Sequence, residues 1–136
     1  MICQQEVANI LAEEGFEPKP YLDTVGVLTI GHGLTFLTED ESRYIVENFR
    51  LPAVEKALNA RQGWLGGSHP EVQRVLIHMA YQLGVTGVSN FKNMIKALQA
   101  EDYLTASAEM LDSKWARQTA NRANRLASRI RALHVG

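Results

Sequence analysis

The sequence predicts a mostly helical α+β fold of two lobes, a small β-hairpin lobe and a helical C-terminal lobe. Three observations carry that prediction. Val7, Ile10 and Leu11 form an apolar stripe at helical spacing that runs up to Glu14-Gly15. A proline-flanked segment then reads as a hairpin, Tyr21-Leu22-Asp23 against Val27-Leu28-Thr29-Ile30. Beyond Ser68 the pattern is helical throughout, strongest at Val72, Val75, Leu76, Met79, Ala80 and Leu83. With 136 residues and 46% apolar composition, the chain fits one domain, or one lobed domain with two small cores, that folds without disulfides or metals. The expected division is a small lobe over about 15–50 and a helical lobe over about 68–136, which the first helix, 2–14, joins.

The elements follow in order. Ile2 to Glu14 forms the first helix, and Gly15 terminates it. Glu14 therefore sits in the last turn, where the negative end of the helix dipole favours a protonated acid. Glu13 points about 100° away around the same helix, so the two neighbours need different partners. Cys3, the only cysteine, forms no internal disulfide; it is either a reactive thiol or a small buried hydrophobe, the commoner state on an apolar helix face. Pro18 and Pro20 stop the helix, and Thr24-Val25-Gly26 turns the hairpin. Gly31-His32-Gly33 ends it with freedom for unusual backbone angles or for close approach of a ligand to the main chain.

Thr38-Glu39-Asp40-Glu41 matches a capping box and starts a helix at about Glu39. Pro52 lies either in the first turn of a new helix or at a break before 53–60. Gly63 to Gly67 is a loop whose Trp64 either packs within the lobe or makes an exposed contact. Ser68-His69-Pro70-Glu71 matches a second capping box ahead of the core helix, which Gly84 and Gly87 punctuate. Helices over 91–100, 101–111 and 119–133 complete the chain, with Thr119 a candidate N-cap and Trp115 a candidate core residue.

The formal net charge of −1 hides an asymmetry. Nine acids stand against Lys19 and Arg43 up to Asn48, whereas six bases and no acid follow Asp112. Such halves attract each other, or the basic one faces a polyanion. His69, His78 and His134 lack metal-ligand spacing, and no Gly-rich phosphate loop or Ser/His/Asp pattern stands out. No cofactor, metal or nucleic acid is expected. No run of 18 apolar residues exists, and the N-terminus lacks a basic start and an apolar core, so neither a signal peptide nor stable membrane insertion is expected. A monomer is the expected state.

The chemistry concentrates between Glu14 and Thr29. Asp23 follows Glu14 by nine residues and Thr29 follows Asp23 by six. Two acids on different elements can face each other across a gap, and glycoside hydrolysis needs that pair: one protonates the leaving oxygen, the other activates water or attacks carbon. The residues also have plainer uses. A glutamate at a helix end is usually a solvated charge. Asp23 suits the start of the turn, and Thr29 suits a strand.

Three blocks resemble the phage-type lysozymes, the T4-lysozyme-like family of muramidases. They are Glu14-Gly15 through Asp23 to Thr29-Ile30-Gly31-His32-Gly33-Leu34-Thr35, then Met79 to Phe91, then Ser113 to Arg125. They come in the family's order and span nearly the whole chain. The resemblance implies a two-lobed fold with a cleft and cleavage of the β-1,4 bond between N-acetylmuramic acid and N-acetylglucosamine in peptidoglycan. It implies Glu14 as general acid, Asp23 as second carboxylate and Thr29 as the residue that helps hold the attacking water, with inversion as the usual outcome. Gly33, Leu34, Tyr81, Gln82 and Thr119 are the implied substrate contacts; Gln118 and Asn121 also fall near the cleft. Arg122 and Arg125 share a helix face. They are expected to support the site by approaching Glu14 and Glu13 if the first and last helices pack.

The chain departs from the family in two places. The segment between hairpin and core helix is short, which implies a small hairpin lobe. His32 stands between the glycines while Leu34 takes the family's usual histidine place. The resemblance implies an endolysin made in the host cytoplasm that reaches the cell wall through membrane lesions, or a cell-wall-piercing part of a virion. The rival readings are a lytic transglycosylase on the same bond and a non-catalytic lysozyme-fold binding module.

Overall fold

The computed structural model describes residues 3–135. The fold is mostly helical with one small antiparallel sheet, as expected. The chain divides into two compact units, Met1–Tyr44 and Ile45–Gly136.

The first unit opens with α1 (Gln4–Glu14); the expected start at Ile2 lies outside the described residues. Cys3 is not a buried hydrophobe. It occupies the position before the helix, is exposed, and its thiol is held below its ordinary pKa by backbone N–H groups of Glu6 and Gln5. Gly15 ends the helix at φ 67°, its N–H bonded to Leu11 O at 3.0 Å. β1 (Glu17–Leu22) and β2 (Leu28–Gly31) pair in the register Glu17↔Gly31, Tyr21↔Thr29 and Leu22↔Leu28. The pairing is irregular between Glu17 and Tyr21, where Pro18 and Pro20 have no N–H to donate. So these prolines stop the helix yet lie within a strand, tolerated because a two-stranded sheet is all edge. Ile30 and Leu34 exchange backbone bonds of 2.8 and 2.9 Å, closing a tight turn through Gly31-His32-Gly33. α2 (Glu39–Ile45) starts with the expected box: Glu41 N–H donates to Thr38 Oγ1 (3.2 Å) and Thr38 N–H to Glu41 Oε1 (2.9 Å). Among residues 3–44, Thr29 is the one buried side chain.

The second unit begins with a π-helical turn, Val46–Arg50, where Leu51 N–H reaches back to Val46 O. α3 (Leu51–Arg61) follows with Pro52 in its first turn. The widened turn lies where a proline inside continuous helix would otherwise crowd the preceding residues. A 3-10 turn (Leu65–Gly67) precedes α4 (Pro70–Ser89), which is kinked at Gly84. The second capping box does not form. Ser68 Oγ donates instead to Leu65 O (2.6 Å), and the cap is His69, whose Nδ1 accepts Glu71 N–H at 3.0 Å. The cause is register: the helix begins at Pro70, so its N-cap is His69, one residue later than the box requires, and Ser68 is the extended residue that follows the 3-10 turn.

α5 (Lys92–Gln99), α6 (Tyr103–Leu111), α7 (Lys114–Gln118) and α8 (Ala120–Arg131) complete the unit. The short α7 was not expected; Ser113 caps it by accepting Ala116 N–H at 3.1 Å. Leu58, Leu76, Met79, Met94, Met110 and Ile130 are fully buried and anchor the core. Each such side chain contributes about 1.5–3 kcal/mol by leaving water. Trp64 packs against this core, its indole N–H bonded to Gln62 Oε1 at 2.9 Å.

Candidate active site

The hairpin turn holds Asp23 by its own backbone. Asp23 Oδ1 accepts N–H bonds from Val25 (2.9 Å) and Val27 (2.8 Å), and Asp23 N–H donates to Val27 O (2.9 Å). The turn reading and the acidic-site reading of Asp23 are thus compatible: one carboxylate oxygen organises the turn, and Oδ2 makes no hydrogen bond among the described residues. The side chain is half-buried.

Thr29 joins the same knot. Its Oγ1 donates to Val27 O at 2.8 Å, so one carbonyl receives both the Asp23 N–H and the Thr29 hydroxyl. With its proton committed, the Thr29 oxygen can act only as an acceptor. The residue is 4% exposed, which fixes its rotamer. Val27 contributes only peptide groups here, and a backbone role leaves no mark in residue type; sequence reasoning missed it.

Glu14 stands on the last turn of α1, exposed, with its carboxylate against Gly33. A β-carbon on Gly33 would lie 2.7 Å from Glu14 Cδ and closer still to Oε2. Gly33 also has φ 73°, a left-handed conformation that other residues adopt at a cost. Its freedom is therefore used twice, for the turn and for the approach of the carboxylate. Leu34 closes that turn with Ile30. Beside this contact, the Phe16 and His32 rings meet at 5.2 Å with planes inclined 41°. Neither was among the expected site residues.

The remaining candidates belong to the second unit. Tyr81 and Gln82 lie on α4 just before the Gly84 kink, both exposed. Gln82 Oε1 accepts the Trp115 indole N–H at 2.9 Å. Trp115 is 5% exposed and meets Phe91 edge-on, with centroids 6.0 Å apart. It is thus both a core residue, as expected, and the tether that orients the Gln82 amide. Thr119 precedes α8 without capping it; its hydroxyl donates back to Trp115 O at 2.9 Å. A pocket of about 570 Å³ opens beside this group, bordered by Phe91, Trp115 and Gln118 and carrying Lys92, Glu109 and Asp112 on its walls. Mixed charge, amide and aromatic surface suits a polar ligand with apolar faces. Gln118 was expected at such a site, whereas the α5 and α6 residues carried no motif.

Arg122 is half-buried and Arg125 exposed on α8. His78 of α4 is exposed, and its pKa is lowered by partial burial first and then by the positive charges of Arg122, Arg129 and Arg125. Arg129 in turn pairs with Glu71, donating through Nε at 3.0 Å and through Nη2. Among the described residues no cluster of His, Cys, Asp and Glu could hold a metal ion, and no helix is long and apolar enough to cross a membrane.

A sequence model of the family described as Phage lysozyme matches residues 12–132. The "Probable T4-type lysozyme 1" of Dictyostelium discoideum is 40% identical over 55 residues, covering 40% of this chain and 32% of that one. A second protein of that organism, "Probable T4-type lysozyme 2", is 36% identical over 53 residues, 39% of this chain and 31% of its own. The "Pre-baseplate central spike protein Gp5" of Enterobacteria phage T4 is 30% identical over 145 aligned positions, 84% of this chain and 25% of that protein. The match thus spans about a third or less of each of these relatives.

Proposed function

The chain belongs to the phage lysozyme family, and from that premise we propose that it hydrolyses the glycan strand of peptidoglycan, cutting the β-1,4 bond between N-acetylmuramic acid and N-acetylglucosamine. The observation that carries this reading is the close approach of Glu14 to the glycine turn that follows the strand bearing Thr29. That strand is tied through Val27 to Asp23.

Each group then has a task. Glu14 protonates the glycosidic oxygen as the sugar carbon gains positive charge, a role worth about 10²–10⁴-fold in rate. Asp23 keeps Oδ1 on the turn and presents Oδ2 to that charge or to the attacking water. Thr29, with its proton on Val27 O, accepts a hydrogen bond from the water and so orients it. Gly33 and Leu34 offer main chain to the sugar. Tyr81, Gln82 and Thr119 contact the strand from the helical unit, with the Gln82 amide N–H₂ directed by Trp115. Arg122 and Arg125, on α8, are assigned a supporting role.

Mass spectrometry of purified peptidoglycan digested by the wild type and by Glu14→Gln tests the proposal. Hydrated reducing muramic acid ends that vanish in Glu14→Gln are expected. Anhydro ends would replace the hydrolase with a transglycosylase. No soluble fragments from either folded protein would leave the glycan-binding module.

The similarity to a phage spike protein across 84% of this chain favours a second setting. In it the same activity opens the wall during virion entry rather than during release. Immunoblotting of purified virions distinguishes the two.

A further inference from the structure

We propose that His32 is a positioning residue that sets Glu14 against the hairpin through Phe16; the inference rests on the hydrolase reading above. Three successive contacts run antiparallel along the junction of α1 and β1. Glu17 pairs with Gly31 in the sheet register. Phe16 meets His32 ring to ring at 5.2 Å. Glu14 rests on Gly33. The sheet therefore continues past its last backbone pair by two side-chain rungs, and the outermost rung is the proposed general acid.

The middle rung is needed because an unpacked glycine joins Glu14 to Phe16, whereas the opposing turn is closed by the Ile30–Leu34 bonds. Gly15, at φ 67°, is the one residue between Glu14 and Phe16, and a β-carbon there would meet nothing within 4 Å. Gly33 is likewise a left-handed glycine. Without a clamp, the end of α1 can turn about Gly15 and carry the carboxylate away from Gly33. The tilted ring pair blocks that rotation. Phe16 is 63% exposed and His32 is also exposed, so the pair lies outside any core and its removal spares the packing of the unit. An imidazole supplies an aromatic face at an exposed turn while keeping polar edges in water.

The experiment compares the wild type with His32→Ala, Phe16→Ala and His32→Phe on purified peptidoglycan. It adds amide NMR of Gly33 while Glu14 is titrated. A shift of the acid by about 1 Å can cost up to about 100-fold in rate. Both alanine variants should lose about tenfold in kcat with KM and thermal midpoint unchanged, and His32→Phe should keep wild-type kcat. The Gly33 amide should follow the Glu14 titration in the wild type and lose most of that response in His32→Ala. Wild-type kcat with an intact Gly33 response in His32→Ala would overturn the proposal, as would a His32→Phe as poor as the alanine variant. Should the wild type release no fragments, the hydrolase reading fails on its own, and the Gly33 response alone decides whether the ring pair positions Glu14.

Discussion

The Glu14 carboxylate lies against the α-carbon of Gly33, at a distance that leaves no room for a β-carbon. Gly33→Ala must therefore displace Glu14 or the turn, and it must also hold alanine at φ 73°. The backbone strain costs about 1 kcal/mol. The displaced acid should lower kcat at least tenfold, and steady-state assays beside thermal melts will separate the two effects.

Asp23 combines a structural oxygen with a free one, so two substitutions should divide its roles. Asp23→Asn keeps an acceptor for the Val25 and Val27 N–H groups while losing the charge. Its melting temperature should stay near the wild-type value while activity falls by orders of magnitude. Asp23→Ala also removes the acceptor of those N–H groups and should cost a further 1–2 kcal/mol, about the value of one lost cap. Equal stability of the two variants would show that the turn does not depend on Oδ1.

Gln82 gives the Trp115 indole N–H its acceptor at 2.9 Å. Gln82→Leu leaves that nearly buried donor without a partner, at a cost of about 1–3 kcal/mol. Gln82→Glu retains an acceptor and should be the milder change. Chemical denaturation of both variants checks the order.

Acid should weaken the helical unit in two stages. The folded protein binds a proton at His78 less readily than the unfolded chain, because burial and then Arg122, Arg129 and Arg125 disfavour the imidazolium. Stability should therefore begin to fall as pH drops below about 6.5, the ordinary histidine value. Glu71 has the complementary sign: the Arg129 hydrogen bond comes first among the causes that hold its pKa below 4.5. Its contribution, less than about 1 kcal/mol for a partly exposed pair, is present above that pH and lost as pH falls through the lowered value. Melting temperatures across this range should show a flatter upper slope in His78→Asn and a flatter lower one in Glu71→Gln.

Six bases and no acid follow Asp112. If this surface draws the protein to an anionic wall, lysis of whole cells should fall as salt rises towards the point where the screening length is about 8 Å. Activity on small soluble fragments should change less. Constant lysis across that range would remove electrostatics from the approach.

Local rules made much of this chain readable. Gly15 as helix stop, the hairpin about Val25-Gly26, the Thr38–Glu41 box and the apolar period of α4 each depend on neighbours in sequence, so residue type alone specified them. Glu14, Asp23 and Thr29 stood out as candidates because acids and a hydroxyl are chemically marked and their spacing matches a family pattern. Ser68 misled because the helix begins at Pro70, one residue later than the box requires, which places His69 and not Ser68 at the cap.

The tertiary structure alone decided what these residues touch. That Gly33 cradles Glu14, that one Val27 carbonyl serves both Asp23 and Thr29, and that Trp115 orients Gln82 are contacts between positions 19, 2 to 4 and 33 residues apart. The long-range pairs arise from packing and the short ones from a backbone carbonyl, which every residue owns. Periodicity and residue chemistry report neither, because both describe a side chain's character and not its partner.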